Sequence, residues 1–548
     1  MTLRCRAGCG KWVVAAGLLF ACAPPRSPEP LQPASSWLPT RVRRLSNAEY
    51  EQAAARFLRI PVEVRHRLPP DLRQLDGYTR NVQQSIMPSS GPQLSSIAEE
   101  LATAAVAQAM DSIWPCQESD GACQTRAIEK LAIRAFRRPA EQRELAALRG
   151  VFDAAAGRGD VADGVQAVLS ALLQAPSFLY VTELGVSENN DAAPPRRARQ
   201  RGALVRLGDF ELASSLAFTV RGAPPDSQLL AAARRGELHD PDERERQARR
   251  LLALHDTRHH FRRFLLQWLE VDDLLETAKS DEVLAGYEAL KPAMLAETER
   301  FVDEVLVHHG ASVSALLNAG FSSVDMAMAA FYGLPAYGTR VPSREHGRVG
   351  VLQQASFLAA HAHPDSTSPI LRGDFVARKL LCVRLPRPSE LDIEVIMPRP
   401  SSELTTRERF AQHVADPDCR FCHRVIDGFG HTFESFDAAG RLRVEENGKP
   451  IDTVGQGSLQ GRPYRFRDSQ ELVAWLANEP RVHECFARQA FRYFSAQNDE
   501  QVEEGFLKLR QQVPERHRSN LLEVLIAWVR SEHFVMRQVT AHTDGEAI

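Results

Sequence analysis

Apolar residues return along this chain with a helical period, and that period constrains its fold more than any other feature. Leu94, Ile97, Ala98, Leu101 and Ala105 follow an i, i+3, i+4, i+7 stripe, and Ile128, Leu131, Ala132 and Ala135 repeat it before Pro139 ends the helix. Side chains at those spacings share one helix face, so each stripe is read as a core face. The same period predicts helices near 161–175, 208–219, 226–235, 241–270, 287–308, 372–383, 469–477 and 480–495. Alternation with a period of two is scarce. Its best example is RLRVEENGKPIDTVG, which carries an Asn447-Gly448 turn signal. The expected fold class is mainly α, built of several packed multi-helical units.

More than one unit is expected because 548 residues exceed what a single hydrophobic core usually supports. Two breaks divide the chain. SENNDAAPPRRARQRG (187–202) is polar, basic and proline-containing, and reads as a linker between an N-terminal helical unit (41–186) and a middle one (203–340). Arg196, Arg197, Arg199 and Arg201 within it read as a solvated loop rather than a lipid-contacting patch. RLPRPSELDIEVIMPRPSSE (384–403), with four prolines, falls inside a third unit (341–465), and a C-terminal helical unit (466–548) follows. A formal net charge of -3 supplies no general attraction to nucleic acid, which is therefore not expected as a partner.

The first residues read as an export address. Arg4, Arg6 and Lys11 precede an apolar run over 12–21, too short to span a bilayer, and Cys22 closes it. Leu19-Phe20-Ala21-Cys22 resembles the bacterial lipobox, whose cysteine is lipidated and becomes the new N-terminus; a plain secretory signal peptide is the alternative. On the first reading 1–22 is the signal peptide, 23–40 a stiff Pro/Ser-rich tether, and Cys22 the membrane anchor. The expected location is the outer membrane, facing periplasm or cell surface. Of nine cysteines, Cys5 and Cys9 leave with the signal and Cys22 takes lipid, so an even six remain, as suits an oxidising compartment. Cys116 and Cys123 bracket a short loop that a local disulfide would close. Cys382 and Cys485 remain as a second pair once the others are assigned.

The stretch that carries chemistry is Cys419-Arg420-Phe421-Cys422-His423, a C-x-x-C-H. Two thiols three residues apart on one helical turn reach the two vinyl groups of a haem, and the adjacent histidine then approaches the iron from the proximal side. With this chain's cysteine and histidine frequencies, chance produces the pattern in roughly half a per cent of such sequences, so covalent haem c leads. Two alternatives stay open: a redox-inert disulfide between Cys419 and Cys422, or a zinc site using these cysteines, His423, and His413 or His431. Candidates for a distal iron ligand are Met397, His413 and His431, none singled out by spacing. Upstream, HAHPDSTSPILRGDFV (361–376) places Ser368 and Pro369 as a helix start. Gly373 implies close approach of another backbone or a flat group. Arg372 is a candidate for a haem propionate, against the reading of a surface arginine on a capped helix. His361 and His363 read as loop residues, and Glu434 with Asp437 as turn and capping residues rather than an acid/base pair. The chain contains no G-x-S-x-G, no H-E-x-x-H and no phosphate-cradling glycine loop, so no catalytic residue is assigned.

CRFCHRVIDGFGHTFESFDAAGRLR (419–443), with HPDSTSPILRGDFV before it and ENGKPID after it, resembles planctomycete-type secreted proteins, common also in myxobacteria, that are built of consecutive domains of unknown function. RRLSNAEYEQ (43–52), LAIRAFRRPAEQRE (131–144), LSALLQAPSFLYVTEL (169–184), RLGDFELASSLAF (206–218) and FARQAFRYFSAQ (486–497) resemble blocks of that family in the same order. The resemblance implies a cytochrome c-like, exported protein, with a haem-attachment segment in the C-terminal part, and no settled activity. This chain departs from the family pattern at Gly428, where a proline is usual and a loosened turn is expected, and at His431, where an aromatic residue is usual. The leading functional expectation is an exported c-type haem protein in electron transfer or oxidoreduction, with an unknown redox partner. The other is a haem-free surface protein that binds polysaccharide or a partner protein, its CxxC serving as a staple.

Overall fold

The helices of the N-terminal part mostly begin at residues suited to a helix start. Ser46 and Glu49 cap α1 (Asn47–Leu58) reciprocally, and α2 (Gly91–Ile113) opens with Pro92 in its first turn. Asp120 accepts from the Cys123 amide at 2.8 Å to start α3 (Gly121–Phe136). Helices α4 (Gln142–Ala156) and α5 (Val161–Gln174) follow, each with a capping box. The computed structural model describes residues 37–548 except 75, 117–119, 186–201, 387–389, 392–397, 399–400, 416 and 540–548, and excludes the side chains of 412–418 and 501. Cys22 and the signal peptide, nearly all of the tether, the 187–202 linker apart from Gly202, Met397 and the His413 side chain thus lie outside the described residues.

The two stripes read from the sequence are buried together: Ile97, Ala98, Leu101 and Ala105 of α2 and Ile128, Leu131, Ala132 and Ala135 of α3 share one core with Val165, Val168, Leu169, Leu172 and Leu173 of α5. Strands β1 (Arg41–Arg44) and β2 (Tyr180–Glu183) pair antiparallel beside it. A disulfide between Cys116 and Cys123 ties the end of α2 to the start of α3.

A larger core draws on the rest of the chain, and side chains from 203–340, 341–465 and 466–548 interleave in it. Its helices include α6 (Asp209–Arg221), α7 (Ser227–Arg234), α8 (Pro241–Leu252), α9 (Thr257–Trp268) and α10 (Tyr287–His309). The stretch expected as one helix over 241–270 is therefore two. The Thr257 hydroxyl donates to the Leu251 carbonyl at 2.6 Å, and Asp256 turns to the guanidinium of Arg221, so the chain breaks between them. Later come α11 (Pro369–Phe375), α12 (Thr406–Ala415), α13 (Pro417–His431), α14 (Ser469–Leu476), α15 (Pro480–Ser495) and α16 (Leu521–Arg530). The helix expected over 372–383 starts earlier, at the Ser368 cap. After α11 it widens into a π-helical turn (Val376–Leu380) and stops, because Cys382 takes a positive φ of 48° and bonds to Cys485 of α15.

Strand structure among the described residues is confined to two-stranded antiparallel ribbons. Besides β1–β2 these are β3 (Leu204–Arg206) with β10 (Met536–Gln538), β4 (Phe321–Val324) with β5 (Gly338–Pro342), β6 (Glu445–Glu446) with β7 (Lys449–Pro450), and β8 (Gly455–Leu459) with β9 (Arg462–Phe466). The β6–β7 ribbon turns at Asn447 and Gly448, both with positive φ, as the sequence signal required. The fold is mainly α. The last strand returns to the first residues of the body: Thr40 donates to the Gln538 carbonyl at 2.8 Å, and the buried Glu183 carboxylate bridges Arg41 at 2.8 Å and Arg537 at 2.9 Å. No helix among the described residues is long and apolar enough to cross a membrane.

Candidate functional site

Helix α13, which carries the CxxCH, is gripped on two sides by backbone contacts that only glycine permits. A Cβ on Gly373 of α11 would stand 2.0 Å from the Ile426 carbonyl oxygen, and one on Gly430 would stand 1.8 Å from that of Pro369. The close approach expected at Gly373 is thus the backbone of the haem-motif helix. On the other side, a Cβ on Gly455 of β8 would meet the Gly428 carbonyl oxygen at 1.9 Å, and one on Gly428 would meet that of Gln456 at 2.4 Å. The Tyr464 hydroxyl of β9 donates to the Val425 carbonyl at 2.8 Å, and its ring stacks on Phe429 with centroids 4.4 Å apart. Gly428 therefore loosens no turn: it lies inside α13, where the missing side chain admits the β8–β9 hairpin.

Within this grip, Cys419 and Cys422 lie one turn apart, both half-buried, with no disulfide between them. Cys422 packs against a small apolar cluster of Ala377, Leu385 and Ile426, and burial pushes its thiol pKa up. Phe421, between the cysteines, is 59% exposed. His423 meets Asp427 one turn on, Nδ1 to Oδ1 at 2.8 Å, and both side chains are largely buried. A carboxylate only accepts, so Nδ1 carries a proton and the ring is held in one orientation; in the neutral imidazole the lone pair is then on Nε2. Asp427 was not singled out in the sequence, although its i+4 spacing from His423 is a readable signal.

The other predicted residues fall elsewhere. His431 ends the same helix eight residues beyond His423, about 12 Å along the axis. Its Nδ1 is buried without a hydrogen-bond partner, and burial, reinforced by Arg407, pushes its pKa down to about 4. Arg372 is fully buried rather than at the surface. Its Nη1 donates to the carbonyls of Phe433 (3.0 Å) and Phe436 (3.1 Å), and its Nη2 to those of Leu358 (3.1 Å) and Asp437 (2.9 Å). In that arrangement the guanidinium clamps the chain leaving α13 with both of its Nη atoms, while its Nε is buried without a hydrogen-bond partner. Asp437 accepts from the amides of Ala439 (2.9 Å) and Arg441 (2.8 Å), the expected turn role, while Glu434 is buried between Thr367 and Arg443. His361 lies, as expected, in the turn that follows a short helix (Ala355–Ala360), but it is buried there, stacked on Phe357 at 4.2 Å. Among the described residues no three His, Cys, Asp or Glu side chains converge as a metal site.

Three family models match this chain. In chain order they are described as protein of unknown function DUF1595 over residues 123–183, DUF1592 over 207–334, and DUF1588 over 348–446. The chain thus carries three consecutive segments similar to domains of unknown function, and α11, α13 and the CxxCH lie inside the DUF1588 match. Nothing matches among the curated proteins or among the solved structures.

Proposed function

We propose that this chain is an exported c-type haem protein, with thioether bonds at Cys419 and Cys422 and His423 as the proximal ligand, serving electron transfer or oxidoreduction. The observation that carries the reading is the conjunction on one helix of two thiols a turn apart, not joined to each other, with an imidazole whose lone pair Asp427 directs to Nε2. Elsewhere in the described chain the other four cysteines pair as disulfides. The apolar cluster beside Cys422 suits a flat apolar ring. The name of the matching DUF1588 family, PSCyt3, points the same way. A haem bound there supplies one-electron chemistry, and the side chains supply its covalent hold and its orientation. Lipidation at Cys22 would tether the body to the outer membrane, facing periplasm or cell surface, where it meets a redox partner.

The test is expression in a host with a cytochrome c maturation system. The purified protein should show a Soret band, pigment should survive acid-acetone extraction, and peptides containing Cys419 and Cys422 should carry the mass of haem. Replacing both cysteines by Ala should abolish covalent pigment, whereas His423→Ala should leave pigment with an altered spectrum. Colourless protein from the maturation-competent host refutes the reading.

A further inference from the structure

A cavity of about 790 Å³ opens where α1, α3 and α7 meet, far in sequence from the CxxCH helix, and no role above involves it. Its volume falls in the range of about 300–1,000 Å³ typical of small-molecule sites. Six basic side chains line it: Arg56, Arg59, Lys130, Arg134, Arg221 and Arg234. A seventh, Arg137, spends its guanidinium on the carbonyls of Ser177, Phe178 and Tyr180 and is structural. The acids present do not balance this charge. Asp256 is shared between Arg56 and Arg221, and Asp226, which also lines the cavity, is engaged by Arg250 at 2.7 and 2.9 Å. Among the described residues Arg59, Lys130, Arg134 and Arg234 have no carboxylate partner.

Gathering cations without counter-charge is costly, the more so where they leave water. Arg134 is half-buried; its guanidinium donates to the carbonyls of Arg56 (3.1 Å) and Phe57 (2.7 Å) and lies over the Phe57 ring. Burial, reinforced by Arg59, pushes its pKa down to about 10. On Arg56, Nε is buried with no hydrogen-bond partner. These guanidinium forks match the paired oxygens of carboxylate and phosphoryl groups. The concentration of charge is local, since the chain as a whole carries a net charge of -3.

We propose that this cavity binds a small multivalent oxyanion, a molecule carrying two or more carboxylate or phosphoryl groups. Calorimetric titration of the full-length protein with citrate, tripolyphosphate and acetate tests it. Arg59→Gln combined with Arg234→Gln is the variant of choice, because both side chains are exposed and have no carboxylate partner among the described residues, so that their loss leaves the fold intact, as circular dichroism checks. The expected result is binding of citrate, tripolyphosphate or both, weakened tenfold or more in the double variant and by added salt, with acetate far weaker. Preference between the two multivalent probes then tells a polycarboxylate ligand from a phosphorylated one. The proposal is overturned if neither multivalent probe binds, if acetate binds as tightly as they do, or if the double variant binds like the wild type. None of these outcomes bears on the haem reading.

Discussion

Replacing Gly373 by Ala should destabilise the protein, whereas the same exchange at Gly150 should stabilise it. The added methyl at 373 would stand 2.0 Å from the Ile426 carbonyl oxygen and 2.8 Å from its carbon, and both are backbone atoms that cannot rotate away. Ordinary carbon-to-oxygen contact begins near 3.3 Å, so α11 and α13 must part by about 1.3 Å. Overpacking of that kind costs about 1–3 kcal/mol. Alanine's better helix propensity returns up to about 1 kcal/mol, leaving a net loss of up to about 2 kcal/mol. Gly150, exposed in α4, has nothing within 4 Å of its would-be Cβ, so only the propensity acts and the gain is about 0.5–1 kcal/mol. Urea denaturation followed by circular dichroism reads both, as opposite shifts in midpoint at unchanged slope. A Gly373→Ala variant as stable as Gly150→Ala would show that α11 and α13 are not held backbone to backbone, and would remove the grip on the CxxCH helix.

Three further expectations stand beside this one, two from the structure and one from the sequence. The Cys382–Cys485 bond closes a loop spanning 103 residues and Cys116–Cys123 one of 7, so loop-closure entropy assigns them about 4.7 and about 2.4 kcal/mol; paired Cys→Ala variants compared by denaturation should keep that order, and the reverse order would refute the entropic argument. Glu297 is buried, accepts from Ser322 and from the Tyr332 hydroxyl at 2.6 Å, and burial raises its pKa from 4.5 to about 7. The folded state then holds a proton that the unfolded chain releases above about 4.5, so this residue's stability contribution is full below that pH and declines up to about 7, by about 3 kcal/mol in total. Glu297→Gln should flatten that part of the stability profile, and an unchanged slope would assign it to other groups. Finally, Cys22→Ser should move the protein from the membrane fraction to the soluble one, and a variant that stays on membranes rules out the lipid anchor.

Much of the helical architecture was legible in the sequence because helix formation answers to near neighbours. The stripes at 94–105 and 128–135, the Ser368-Pro369 start and the Asn447-Gly448 turn each depend on side chains within a turn or two, and all appear as read. The CxxCH is legible for the same reason: its thiols and imidazole sit within about one and a half turns, so spacing alone states the geometry. What spacing cannot state is who meets whom across the fold. The break inside 241–270 sits at Asp256, which meets Arg56 some 200 residues away; Arg372 is committed to carbonyls 61–65 residues downstream; Gly428 makes room for a hairpin that follows it; and the cationic cavity exists only where three separate helices converge. Periodicity marks which face of a helix is apolar, but burial, the partner of a charge and the contact a glycine permits are set by long-range packing, and those contacts exist only once the chain has folded.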